Sequence, residues 1–338
     1  APTVTYTNDL PKDPVTLKIA FFEAGFGRAW LDYAVDTFEA SFPNVTIEGE
    51  ASPTIDQVIT TKISAKNDED MFDLFSTTRL VYEDYAEAGL FDTVEELFER
   101  SPYDTPDKKL KDLMNPSLYN SQRFQYRGQT FTVDFCVNIL GLFYEKALFA
   151  ENSWNTQPQT YQEFEELCDA IKKKKINPMV FYRGYQLMFM RGKMWELANE
   201  AGELKEFDDS FRNMTGYQYI NPYSSGMWQK FYEMGKKKYF ESGIAAVSHM
   251  EAQMQIIQRD TAMVVSGSWI QNEMKDAVPE GFEWGFMVMP FVSDASKQIY
   301  TQIGAEDSFF IWNNKPELNK QWAKEFLLWL HNMDVQAE

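Results

Sequence analysis

Histidine and cysteine are nearly missing from this chain. Its 338 residues hold two of each: His249, His331, Cys136 and Cys168. So few imidazoles argue against a His-built catalytic metal site and against a His-based triad. Two thiols cannot make a disulfide scaffold or a zinc cluster; two buried free thiols are expected, with a single bridge as the alternative. Basic residues are outnumbered, 32 Lys and Arg against 51 Asp and Glu, for a net charge of −19. A field of that sign repels nucleic acid and anionic membrane surfaces and favours neutral or cationic partners. No apolar run approaches the roughly 20 residues that cross a bilayer. Residues Ala1 to Pro14 carry three prolines and no apolar segment of the signal-peptide kind, so no targeting signal is visible. A form from which a signal has been removed fits this, and so does a cytosolic protein. Internal repeats and low-complexity segments are also missing.

What is present is ordinary in bulk and unusual in aromatics. The chain is 44% hydrophobic, which excludes wholesale disorder, and 16% aromatic, with 17 Tyr and 9 Trp. Its length gives a prior of about two domains.

The first 75 residues alternate between two periods. Val15, Leu17, Ile19 and Phe21 alternate with Thr16, Lys18 and Ala20, a strand pattern. After Gly25 and Gly27, the residues Trp30, Leu31, Ala34, Val35 and Phe38 recur at helical spacing, stopped by Pro43 and Asn44. Val45 and Ile47 start a second strand. Ile55, Val58, Ile59 and Ile63 mark one face of a second helix, and Met71 to Phe75 reads as a short buried strand. Strand–helix–strand–helix–strand predicts a parallel sheet covered by helices. Ligands of such sheets bind at loops beyond the carboxyl ends of the strands, which here are Phe22 to Arg28 and Ser76 to Arg79.

Further along, a helix through Tyr82, Tyr85 and Ala86 is ended by Gly89. Another is expected from Asp92, with Glu95 completing a capping arrangement and Val94, Leu97 and Phe98 buried. Ser101 to Pro106 reads as an irregular connection. Gly128 turns the chain before a strand of Phe131, Val133 and Phe135, and Leu140, Leu142 and Tyr144 suggest the next. The middle of the chain is mostly helical. Thr160 and Glu163 form a capping box ahead of Phe164, Leu167, Cys168 and Ile171, an apolar face that makes Cys168 a core residue. The basic runs Lys172 to Lys175 and Lys236 to Lys238 read as helix termini, where cations meet the negative end of the dipole. Met190 and Met194, four apart and near Met188, read as core packing. Thr261 to Ser266 is apolar and ends in Gly267-Ser268-Trp269; Gly285 to Pro290 and Ile303 to Trp312 read as strands. The last helix, Asn319 to Leu330, buries Trp322, Phe326, Leu327 and Leu330.

Five stretches in order resemble the extracellular solute-binding proteins of carbohydrate ABC importers, the large class that includes maltose-binding protein. They are Phe72-Asp-Leu-Phe with Tyr85-Ala-Glu-Ala-Gly-Leu-Phe-Asp; Arg127-Gly-Gln-Thr-Phe-Thr-Val-Asp-Phe with Gly141-Leu-Phe-Tyr-Glu-Lys-Ala-Leu-Phe; Pro158-Gln-Thr-Tyr-Gln-Glu-Phe; Asp260-Thr-Ala-Met-Val-Val-Ser-Gly-Ser-Trp; and Asn319-Lys-Gln-Trp-Ala-Lys-Glu-Phe-Leu. The likeness spans about residues 15 to 335. It implies an α/β, periplasmic-binding-protein-like fold: two α/β lobes joined by hinge strands, with a ligand cleft between them. Lobe one would be 1–133 with 307–338 and lobe two 136–304, with hinge crossings near 133–136 and 303–308. The resemblance further implies an extracytoplasmic protein, periplasmic or a cell-surface lipoprotein, although the anchoring Cys is absent here. Class members usually continue past the helix matching Asn319 to Leu330, whereas this chain stops at Glu338; a trimmed C-terminus and a short variant are both open.

A sugar needs flat aromatic walls for its C–H faces and planar polar groups for its hydroxyls. Trp269, which follows Gly-Ser at a strand-to-helix corner, matches a Trp that commonly faces the ligand in the class; a core role is the alternative. Glu306 and Asp307 interrupt an apolar strand at a crossing, where a charge is costly unless it meets water, a partner or ligand; a hinge salt bridge is the other reading. Glu23 and Phe26 sit in the glycine-containing loop after the first strand, which lacks the G-K-S/T of a phosphate loop. Arg79 follows the third strand, and Asp134 lies at the first crossing with contact and structural roles both open. Tyr182, Tyr185 and Gln186 fall where the class usually has contacts.

The expected function is capture of an oligosaccharide in the interlobe cleft and delivery to an ABC permease, by a monomer with no catalytic residue, no metal and no cofactor. Two other readings are a glycoside-active enzyme, which needs two carboxylates facing each other about 5 to 9.5 Å apart, and a binding protein for a peptide, polyamine or cation.

Overall fold

The computed structural model describes residues 6–337 apart from 24, 26, 78–80, 120–124, 135, 214, 216–219, 242, 302 and 307, with backbone alone at 117, 118, 125, 136, 187, 188, 212 and 304–306. The fold is mixed α/β and divides into two compact units, Ala1–Val137 with Ala305–Glu338, and Asn138–Gly304.

The first unit is built on a four-stranded sheet. Strands β1 (Val15–Phe22), β2 (Val45–Ser52) and β3 (Leu74–Ser76) run parallel, with β1 in the middle. A late strand, which pairs antiparallel with β3, closes the order at that edge. The alternation read from the sequence is the cause of the two-sided packing. Leu17, Ile19 and Phe21 face the helices Ala29–Ser41 and Glu317–Trp329, meeting Phe38, Trp322 and Phe326. Ala20 and Phe75 face the opposite helix, Ile55–Ala65, through Ile55 and Ile59. Much of the aromatic excess is spent here: Phe38 stands edge-on to Trp322, Phe326 and Trp329, geometry that suits the ring quadrupole.

The second unit has a five-stranded sheet. After the short hairpin β4 (Gln125–Tyr126) and β5 (Gln129–Thr130) come β6 (Cys136–Glu145), β7 (Asn177–Phe181), β8 (Thr261–Gly267), β9 (Trp284–Met287) and β10 (Ile303–Glu306). The order is β10-β6-β8-β7 with β9 also against β6; β7 and β8 are parallel, β6 and β8 antiparallel. Every residue of β8 is buried, because helices cover both sheet faces. On one face Met263 and Val265 meet Phe164, Cys168, Met190 and Met194; on the other Val264 meets Ile256 and Ile270. Cys168 is a buried free thiol whose pKa is pushed well up by desolvation; the Cys136 side chain lies outside the described residues. Lys172 and Lys173 close the Tyr161–Lys173 helix, and Lys236 closes Pro222–Lys236.

Five local expectations need correction. Ile303 to Trp312 is not one strand: it divides into β10 in the second sheet, which ends at Glu306, and β11 (Phe309–Ile311) in the first. No capping arrangement forms at Asp92. The Glu95 carboxylate instead accepts a bond from the Thr130 amide, and a 3₁₀ turn, Glu95–Glu99, follows Val94 with no side-chain cap. The strand near Phe131 and Val133 is only Gln129–Thr130; Arg127 and Gly128 both take positive φ (51° and 81°), forming the hairpin turn, and Phe131 and Val133 are buried without a ladder. Glu163 caps back onto Gln159 rather than onto Thr160, whose hydroxyl does cap the Glu163 amide. Val58 is 37% exposed; Ile55 and Ile59 are the buried residues of the helix–sheet contact, with Ile63 packed at its edge.

Candidate functional site

The parallel strands direct polar and aromatic side chains to their carboxyl ends. In the second unit, β7 ends at Phe181 and the chain passes through Tyr182 into the helix Arg183–Ala201; β8 ends at Gly267 and passes through Trp269 into the short helix Ile270–Glu273. Glycine shapes both exits. A Cβ on Gly184 would collide with the Tyr182 ring, and one on Gly267 with the Trp269 indole. Each aromatic thus folds back over a residue without a side chain.

The rings converge. Tyr185 stands edge-on to Tyr182 at 5.4 Å and 89°, and meets Trp269 at 5.5 Å and 60°. Tyr182 is the accessible member at 37% exposure, Tyr185 and Gln186 are half-buried, and Trp269 is 5% exposed. The face that a solute can reach in this unit is therefore carried by Tyr182 and Tyr185, with Trp269 packed against Tyr185 as support.

Three polar residues complete the cluster. His249 begins the helix His249–Ile257 under a full capping box, Ser248 with Glu251. Its ring lies 6.1 Å from that of Tyr182 and 5.3 Å from that of Tyr185. His249 Nε2 donates to Glu273 Oε2 at 2.7 Å, and Gln253 Nε2 donates to the same oxygen at 2.7 Å. Pointing at one oxygen leaves the two nitrogens 3.0 Å apart. Gln253 is fully buried and its Oε1 finds no hydrogen-bond partner among the described residues, an arrangement that costs about 1–3 kcal/mol. Sequence reading names His249 only to set aside catalysis, and misses Gln253 and Glu273. The available signals are local: the Ser248-x-x-Glu251 box and the i, i+4 spacings His249–Gln253 and Trp269–Glu273.

In the first unit Glu23 extends the β1–β2 ladder by one bond, its amide donating to Ser52 O at 3.3 Å, and its side chain is half-buried. At the same ends of β2 and β3, the Thr77 hydroxyl donates to the buried Asp56 carboxylate. Asp134 accepts from the Ser308 hydroxyl at 2.8 Å. Phe26, Arg79 and Asp307 lie outside the described residues, and Glu306 is described by backbone alone, in β10. Among the described residues no group of three or more His, Cys, Asp or Glu is placed to hold a metal ion, and no helix is long and apolar enough to cross a membrane.

Comparison with known proteins gives the frame. The diacetylchitobiose binding protein NgcE of Streptomyces coelicolor is 26% identical over 274 residues, 79% of this chain and 55% of that protein, so the chain spans about half the length of its curated relative. RafE of Streptococcus pneumoniae, solved with raffinose, superposes with a TM-score of 0.69 at 17% identity, covering 95% of this chain and 78% of that one. The GacH receptor of Streptomyces glaucescens, solved unliganded and with acarbose, gives 0.69 at 16% identity, covering 96% and 77%. These structural likenesses establish a fold shared with sugar-binding receptors. The family described as bacterial extracellular solute-binding protein matches residues 23–337, and the chain belongs to it.

Proposed function

We propose that this protein is an extracytoplasmic receptor that captures an oligosaccharide and hands it, chemically unaltered, to an ABC permease. One observation carries the reading. At the carboxyl ends of β7 and β8, Tyr182 stands against Tyr185 and Tyr185 against Trp269, an aromatic cluster where sheets of this kind take ligands. Such rings match the C–H faces of a sugar and lose little entropy on binding. The net charge of −19 fits a neutral solute. NgcE, named for diacetylchitobiose, and RafE, solved with raffinose, support the ligand class.

In this reading the two units are lobes that close on the solute about crossings near 133–136 and 303–308. The solute favours closure through its higher affinity for the closed state. Glu23, Phe26, Arg79, Asp134, Gln186, Glu306 and Asp307 are proposed to supply polar and further aromatic contacts from the strand ends and crossings. The protein acts as a monomer, periplasmic or lipid-anchored at the cell surface, and has no hydrolytic role. The test is a thermal shift and calorimetry panel with diacetylchitobiose, raffinose and maltotriose. A true ligand at 100-fold above Kd adds about 2.7 kcal/mol of stability. Release of reducing sugar from any of the three would favour an enzyme instead.

A further inference from the structure

The aromatic face is tied into a closed circuit of contacts that runs through a histidine. Trp269 touches Tyr185, Tyr185 touches His249, and His249 bonds to Glu273, which lies four residues after Trp269 and closes the same short helix. The circuit draws on three separate elements: the first turn of Arg183–Ala201, the first turn of His249–Ile257, and Ile270–Glu273. His249 is held twice over. The capping box fixes its backbone, and the Glu273 oxygen, shared with Gln253 Nε2, fixes the plane of its ring. Gln253 keeps this orientation although its buried Oε1 goes unused among the described residues. A polar group left unsatisfied in that way points to a geometry held for another purpose. Both tyrosine rings meet the imidazole nearly edge-on, at 66° and 80°.

We propose that His249 and Glu273 are positioning residues of the solute face: locked by Glu273 and Gln253, the imidazole holds Tyr182 and Tyr185 in the orientation that receives a neutral sugar. The inference rests on the sugar-binding reading above. A ring that is already oriented pays less entropy on binding, so loss of the buttress weakens affinity while leaving the hydrophobic core intact.

The experiment compares the full chain with H249A, H249Q, E273A and E273Q. Affinity for diacetylchitobiose, raffinose and maltotriose is measured by calorimetry, and Tm by scanning. For any sugar that the unaltered protein binds, H249A raises Kd about tenfold with Tm little moved, since its ring is only half-buried; E273A raises Kd alike and also lowers Tm, because buried Gln253 loses the acceptor of its Nε2. H249Q, which still donates to Glu273 but lacks the ring, behaves like H249A. E273Q, which keeps an acceptor oxygen for both donors, recovers most of the affinity. Equal Kd in H249A and the unaltered protein overturns the positioning role and leaves the sugar reading standing. If the unaltered protein binds none of the three, the sugar reading falls, and positioning is read without ligand from the ¹⁹F resonances of 3-fluorotyrosine at 182 and 185. H249Q must then shift or broaden both; unchanged resonances overturn the proposal. Should H249A fail to fold, H249Q and E273Q carry the comparison.

Discussion

Trp269 lies across Gly267, so closely that a Cβ on the glycine would occupy the indole ring. The strand end and the aromatic it carries are thus one packed unit. Gly267→Ala forces the ring out of place and costs about 1–3 kcal/mol, the range for overpacking a well-packed site. In a Trp269→Ala background the same change becomes nearly neutral, because the clash is gone. A double-mutant cycle in urea measures this coupling; additive costs would show that the ring has room to move.

A buried ion pair fastens the segment between β9 and β10. Lys193 Nζ, fully buried, donates to Glu196, to Met289 O and to Tyr300 O, and Glu196 accepts the amides of Phe291 (2.6 Å) and Tyr300 (2.9 Å). Burial pushes the Lys193 pKa down and the Glu196 pKa up, and the mutual bond opposes both shifts. Lys193→Met leaves an unpaired buried carboxylate and is expected to cost about 3–5 kcal/mol. Replacing both by Met does not restore stability here, because two carbonyls and two amides lose their partners as well. Chemical denaturation of the single and double variants checks this; a double variant as stable as the original chain would contradict it.

Acid weakens the first unit through His331. Buried at 8% exposure, this histidine has its pKa lowered by desolvation from 6.5 to about 4. Between those values the unfolded chain binds the proton and the folded one does not, so stability falls as pH drops through that window. A shift of that size removes on the order of 3 kcal/mol by pH 4. Denaturation at pH 4 and at pH 7 is compared with the same pair for His331→Gln. The variant's loss should be smaller by that amount; equal losses would remove His331 from the account.

The legible parts of the sequence were those set by local periodicity. The alternation of Val15, Leu17, Ile19 and Phe21 gives β1 and its inner face, and the spacing of Phe164, Leu167, Cys168 and Ile171 gives a helix that buries all four. Long-range partners were not legible. Glu95 looks like a cap until Thr130, 35 residues on, takes its carboxylate. Ile303 to Trp312 reads as one strand interrupted by Glu306-Asp307-Ser308, and its pattern alone does not show that its halves join different sheets. The same limit hid half of the candidate site. Tyr182, Tyr185 and Trp269 stand out as aromatics at strand exits, whereas His249, Gln253 and Glu273 acquire meaning only when two helices place them around one oxygen.

Calorimetric titration of the unaltered protein and of Tyr182→Ala with diacetylchitobiose, raffinose and maltotriose tests the central claim most directly. The account predicts binding heat for at least one of these sugars, and a Kd at least about tenfold weaker, 1.4 kcal/mol, once the exposed ring is removed. No heat with any of them, or an unchanged Kd in the variant, would contradict it.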